Sequence, residues 1–331
     1  MITIWDFLIS NTTLEKDTIF DNLDNINIEH LIKKQILPDL IISSPAKRAI
    51  TTAKIIADKM AFKISAFSSG VPPVISLASQ AVKDGFSTVI AAGGDGTVYE
   101  VLNGIVSASK KFTETRIGVL PLGTVNVFAK ELGMPMNLAR CKDILLKGSS
   151  RLLDLPFVRF QENGADQKRY FAQLGGAGLD AFAIQEVSFK LKKRLGPLAY
   201  VVAGLKVIGR DLPQIQCRTY DGTTADGKLI LLGNGAFYGG RFRVFPDAKL
   251  DDGLLHALVF QDVRWFQLPW RGLGLWMDQL HTQSGVTYLK STSLELVSSA
   301  PVPFELEGEV VGQLPAHLHM SKEKLQVISP I

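Results

Sequence analysis

From residue 39 to residue 133 the chain alternates short runs of β-branched and apolar residues with stretches whose apolar positions recur every three or four residues. DLIISS is followed by TTAKIIADKM, ISAFSS by VISLASQAVKDG, STVIAA by TVYEVLNGIV, and RIGVLP by VNVFAKELG. Short apolar runs bounded by turn residues read as buried strands, and the 3.6-residue period reads as helices. The alternation predicts a parallel sheet with helices on both faces. Gly133 and Pro135 then close the last helix. Beyond about residue 150 the texture changes to strand-like segments, among them RYFAQLGG, LILLGNGAFYG, LLHALVFQ, VPFELEGEVV and AHLHMS. These predict an antiparallel β domain with one helical excursion near residues 184–209. The expected fold class is therefore α/β, with a doubly wound parallel-sheet nucleotide domain over 1–145 and a β-rich substrate domain over 146–331. Residues 1–36 form an atypical extension.

The chain has 331 residues, 46% of them hydrophobic and 21% charged, the balance of an ordinary globular protein. Its net charge of +4 is too small to point to nucleic acid, and no basic stripe carries interleaved aromatics. The best apolar run, residues 198–208, is short and interrupted by Lys206, so no membrane span is expected. MITIWDFLISNTT has no basic region followed by a long apolar one, which makes a cytoplasmic location the expectation. Cys141 and Cys217 lie far apart without metal-type spacing and read as unpaired thiols. Trp265, Phe266, Trp270 and Trp276 read as core residues rather than membrane anchors.

Two turns carry the candidate chemistry. In STVIAAGGDGTVYEVLNGIV, a strand runs through GGDG straight into a helix. Glycines allow a positive φ and leave backbone N–H groups unshielded, while a helix N-terminus favours phosphate. A tight turn of any α/β domain would look the same. RIGVLPLGTVNVFAKELG repeats the design at residues 121–124, and both turns belong at the carboxyl edge of the sheet, where open α/β sheets bind ligands. Neither GxxxxGK[ST] nor GxGxxG follows a strand, so the common triphosphate loop and the dinucleotide fingerprint are both missing.

GGDGTVYEVLNGI followed by GVLPLGTVNVFAKELG resembles the catalytic domain of the diacylglycerol kinase and sphingosine kinase family of lipid kinases. RYFAQLGGAGLDA, NGAFYGGRFRVFPDAKLDDGLLH and ELEGEVV are similar to later motifs of that family, in the same order. The resemblance spans about residues 65–331. It implies an N-terminal domain of the NAD kinase and phosphofructokinase kind, a C-terminal antiparallel β-sandwich, and a cleft in which Mg-ATP meets a lipid hydroxyl. On that resemblance Gly94, Asp95, Gly96, Thr97, Val98, Tyr99, Glu100 and Thr124 hold the nucleotide. Asp252 holds Mg²⁺ with the backbone of Lys249 and Leu254, Asp180 meets the lipid head group, and Glu309 takes the proton of the acceptor hydroxyl. Asp95 orders Mg-ATP or that hydroxyl, with capping of the turn as the bland alternative.

The strand alternation across PFELEGEVV sets Glu305, Glu307 and Glu309 on one face, and Gly308 within it signals a close approach. Where the family pattern is Asp-Gly-Glu, this chain has Glu307. The cluster Lys190, Lys192, Lys193 and Arg194 is a candidate contact with anionic lipid. Residues 37–57 resemble histidine phosphatases around Arg48, but the Arg-His-Gly-like nucleophile motif is missing, so phosphatase activity is rejected. The Asn-Pro-x-x-Gly turn that ends the first strand in the family it resembles is missing; either residues 43–47 substitute for it or the N-terminal region is a remnant that leaves the nucleotide pocket incomplete. The expected protein is an ATP- and Mg²⁺-dependent lipid kinase, most naturally for diacylglycerol or a similar lipid, peripheral at the inner membrane face, and compatible with a homodimer. The alternatives are an inactive lipid-binding protein on the same fold and a kinase of a soluble acceptor such as NAD.

Overall fold

The computed structural model describes residues 40–43, 63–65, 73–109, 112–147, 149–186, 198–208, 210–240 and 242–330. The basic cluster at 190–194, the segment 44–57 with Arg48, and the N-terminal extension lie outside them.

A six-stranded sheet runs in the order β2-β1-β3-β4-β20-β5, built from β1 (Leu40–Ser43), β2 (Lys63–Ser65), β3 (Thr88–Gly93), β4 (Arg116–Pro121), β5 (Ser150–Leu153) and β20 (Leu325–Ile328). Strands β1 to β4 and β20 pair in parallel, while β5 runs antiparallel to β20. Every residue of β3 is buried, as expected of a parallel strand covered on both faces. The helices α1 (Val74–Lys83) and α2 (Asp95–Ala108) pack on each other, α2 also on β3, and α4 (Leu138–Lys147) on β4. Ile90, Leu102, Ile105, Ile117 and Val327 share one core.

Two further six-stranded antiparallel sheets form the sandwich. One contains β6 (Pro156–Glu162), β7 (Ala165–Tyr170), β9 (Ile215–Thr219), β10 (Thr224–Gly227), β16 (Ser293–Ser298) and β19 (Ala316–Met320). The other contains β8 (Leu174–Gly178), β11 (Leu229–Gly233), β14 (Leu255–Phe260), β15 (Val286–Ser291), β17 (Pro303–Leu306) and β18 (Glu309–Gln313). Their inner faces meet in a second core, where Phe160 and Phe304 stack edge to face at 5.1 Å. A small hairpin, β12 (Phe237–Tyr238) with β13 (Phe242–Arg243), lies outside the three sheets. The helical excursion is α5 (Leu179–Glu186) and α6 (Leu198–Ile208).

Two sequence readings need correction. PFELEGEVV is not one strand: Leu306 pairs with Glu309, and Glu307 (φ 53°) and Gly308 (φ 82°) form a two-residue hairpin turn. Positive φ at both central residues matches the right-handed twist of the flanking strands, so Gly308 serves the turn rather than a close approach. The acidic face dissolves with it, because Glu305 is fully buried, Glu307 nearly so, and Glu309 exposed. The aromatic residues Trp265, Phe266, Trp270 and Trp276 are exposed, not core.

Candidate active site

The two glycine turns touch. Leu122 and Gly123 both donate their N–H groups to the Gly93 carbonyl, at 3.0 and 3.1 Å. A β-carbon on Gly123 would lie 2.3 Å from the Gly94 Cα, closer than any side chain could be accommodated. Asn126, in the left-handed region at φ 55°, locks the second turn by accepting the Gly123 N–H and donating back to the Gly123 carbonyl. This lock was not read from the sequence, although Asn tolerates that conformation better than most residues.

Within α2 the N–H groups of Thr97 and Val98 return to the Gly94 carbonyl, so the amides of Asp95 and Gly96 precede the first intrahelical bond. Val98 belongs to the α/β core and Tyr99 to the sandwich core, which occupies both side chains with packing. Thr97 is buried at the turn and Thr124 is exposed beside Gly123. Asp95 accepts the Phe128 N–H at 3.0 Å, capping the short helix α3 (Val127–Glu131), so the bland role is present.

The hairpin turn of β17 and β18 comes to the same place. The Glu309 carboxylate crosses to α2, where a β-carbon on Gly96 would lie 3.0 Å from its Oε1. Burial, then the neighbouring Glu309 charge, raises the Glu100 carboxyl above its ordinary range. Glu307 accepts the N–H groups of Ala172 at 2.8 Å and Gln173 at 2.7 Å through Oε1, while its Oε2 is buried without a partner. Burial and then the charge of Asp95 push Glu307 up to about 8. An orphaned carboxylate oxygen beside a second carboxylate is what a bound cation would complete.

Behind the turn, Glu305 accepts the Gly308 N–H at 2.7 Å through Oε2. The Tyr238 hydroxyl reaches Asp180 Oδ2 at 2.5 Å and Glu305 Oε1 at 3.1 Å. Burial, then the Asp180 charge, raises Glu305 well above the usual carboxylate range. Asp180, in the first turn of α5, is thus joined to the hairpin that carries Glu309.

Asp252 stands in a separate turn. Its oxygens accept the N–H groups of Lys249 and Leu254, each at 2.9 Å, and meet His256 Nε2 at 3.0 Å. Burial opposes ionisation there, but the His256 ring and the two amides hold the carboxyl below its ordinary value. Lys249, Asp252 and Leu254 are together, but among the described residues no group of three or more His, Cys, Asp or Glu side chains could hold a metal.

Comparison with known proteins matches the chain to a family. The model of the diacylglycerol kinase catalytic domain matches residues 43–158, and that of the YegS C-terminal NAD kinase beta sandwich-like domain matches residues 175–329. The diacylglycerol kinase of Staphylococcus carnosus (strain TM300) is 30% identical over 288 residues, covering 86% of this chain and 90% of the relative. The chain belongs to the diacylglycerol kinase family. It is a lipid kinase. The diacylglycerol kinase of Staphylococcus aureus (strain JH9) is also 30% identical, over 292 residues, covering 86% of the chain and 88% of the relative. A solved structure of a Bacillus anthracis protein assigned as a diacylglycerol kinase shares the fold of this lipid kinase, with a TM-score of 0.68 at 20% identity over 90% of this chain and 97% of that one.

Proposed function

We propose that this lipid kinase transfers the γ-phosphoryl group of ATP to the free hydroxyl of diacylglycerol or a closely similar lipid. The observation that carries the reading is the meeting of Glu309 with the first turn of α2, which brings a carboxylate to a phosphate-binding kind of helix terminus. The amides of Asp95 and Gly96 and the hydroxyls of Thr97 and Thr124 would bind the phosphates. The acceptor oxygen attacks the γ-phosphorus as its bond to the bridging oxygen breaks; the hydroxyl proton passes to Glu309 and ADP departs. Glu305, Tyr238 and Asp180 hold the Glu307–Gly308 turn and so aim Glu309.

The residues fit Mg²⁺ between Asp95 and Glu307, where the orphaned Glu307 Oε2 needs a partner. Held there by Asp95 and Glu307, it would supply positive charge to offset that of the phosphates. Asp252, engaged by the Lys249 and Leu254 amides and by His256, would offer an ion its remaining lone pairs. Among the described residues no helix is long and apolar enough to cross a membrane, so we propose that the kinase meets its lipid from one side of the bilayer.

Incubation with labelled ATP and a panel of diacylglycerol, monoacylglycerol, sphingosine and NAD tests the acceptor; labelling of NAD alone would sink the proposal. Glu309→Gln keeps size and hydrogen bonding but removes the base, so turnover should fall by about 10²- to 10⁴-fold while ATP binding persists. An undiminished rate would move the base elsewhere, with Asp95 next in line.

A further inference from the structure

Six of the eleven large apolar side chains that stand exposed among the described residues fall between residues 265 and 277. A 3₁₀ turn, Trp265–Gln267, leads into α7 (Leu268–Trp276), with Pro269 in its first turn. Trp265 is 74% exposed, Trp270 61% and Trp276 75%, and Phe266, Leu273 and Met277 stand out beside them.

The polar side of this helix faces the protein. Arg271 donates to Gln283 Oε1 at 3.1 Å and to the Ser284 carbonyl at 3.0 Å, with its guanidinium over the Phe260 ring. Gln283 donates to the Trp270 carbonyl at 2.7 Å, and its side chain fills the space a β-carbon on Gly274 would take. Leu275 packs against the cluster of Phe245, Leu258 and Phe260. Trp270, Leu273 and Met277, spaced by three and four residues, therefore point away with Trp276. An ordinary surface helix does the reverse, turning its apolar stripe inward. A contiguous exposed apolar face of this kind marks an interaction surface.

We propose that this face is the surface on which the enzyme rests on a lipid bilayer. The inference deepens the reading of a bilayer-embedded acceptor and rests on it. A kinase whose acceptor has its chains in a membrane, and which has no spanning helix among its described residues, needs a surface that enters the headgroup region. Tryptophan suits that region, because its ring is apolar and its N–H seeks a partner. Residues 263–277 contain no carboxylate; Arg264 is bonded to Asp262, Arg271 turns into the protein, and the exposed Asp278 follows the helix, so the face itself is apolar rather than charged.

A second copy of the chain is the weaker occupant. A nine-residue helix is about 14 Å long, short of what the roughly 800 Å² per partner of a stable dimer requires. The inner side of the helix is linked to the site through one apolar cluster. Leu275 and Tyr238 flank the same apolar cluster, and Tyr238 bonds Asp180 and Glu305. Seating α7 on a leaflet brings the hairpin that carries Tyr238 toward the lipid.

The test uses vesicles of phosphatidylcholine and phosphatidylglycerol, the full chain, and the variant Trp265→Ala/Trp270→Ala/Trp276→Ala. Three large apolar side chains are returned to water, so vesicle binding should fall by roughly a hundredfold or more. Activity on long-chain diacylglycerol in vesicles should fall with it, while activity on dihexanoylglycerol in solution stays unchanged. In the parent, brominated phosphatidylcholine should quench tryptophan fluorescence. Undiminished binding by the variant, absence of quenching in the parent, or a parent dimer that the variant dissolves would each overturn the assignment. A parent that binds vesicles through these tryptophans yet phosphorylates neither acceptor would uphold the surface and refute the diacylglycerol reading.

Discussion

At the scale of single residues, the site turns on where carboxylates lie relative to burial. Glu305, Glu307 and Glu309 are alternate residues of one short stretch, yet one is sealed behind the hairpin, one is buried with an unpartnered oxygen, and one is exposed against α2. A buried carboxylate oxygen without a partner is costly, and a divalent cation would relieve it. Replacing Glu307 by Gln preserves acceptance of the Ala172 and Gln173 amides and removes the charge. The expected result is at least about a tenfold rise in the Mg²⁺ concentration for half-maximal activity, equivalent to roughly 1.4 kcal/mol of lost ion binding. A magnesium titration of the purified variant checks it, and an unchanged midpoint would remove the ion from this position. The sequence marked Glu307 only as a departure from the Asp-Gly-Glu pattern; what surrounds its oxygens depends on Ala172 and Gln173, more than 130 positions away in the chain.

At the scale of elements, the two glycine turns act as one unit. Gly93 at the end of β3 accepts from both residues of the second turn, and Gly123 sits on Gly94 with no room for a side chain. Gly123→Ala would force the turns apart and displace the amides of Asp95 and Gly96. ATP binding should weaken by about tenfold or more in a variant whose circular dichroism spectrum is unchanged. Calorimetric titration with ATP measures this, and an equal affinity would reduce the paired turns to a structural joint. Both turns were legible from the sequence, because each follows an apolar strand and opens a helix. The contact between them was not, since it needs β3 and β4 side by side in register, with Gly93 opposite Pro121.

At the scale of the whole molecule, the chain returns at its end to the sheet where its described part begins. Strand β20 lies between β4 and β5 in the parallel sheet, and Val327 and Ile328 are fully buried in the first core. The sheet that carries the candidate nucleotide turns is therefore completed by a segment that follows the entire sandwich. Ile328→Ala should cost about 2–5 kcal/mol of stability by opening a cavity in that core. Chemical denaturation gives the comparison; a loss below about 1 kcal/mol would mean that β20 contributes little to holding the sheet.

The sequence by itself determined the local order of strands and helices, the two glycine turns and the motif residues that identify a lipid kinase, because these depend on periodicity and on residues adjacent in the chain. It misread the strand through Gly308, since alternation of apolar and acidic residues continues across a two-residue turn as smoothly as along a strand. It also misread Trp265, Phe266, Trp270 and Trp276, since hydrophobicity alone does not say which face of a short helix turns inward. Tertiary structure decided those matters: Arg271 and Gln283 hold the polar face of α7 against the protein, and residues 305–309 fold back so that Glu309 reaches Gly96. Both outcomes depend on contacts between segments distant in sequence, which no local pattern encodes.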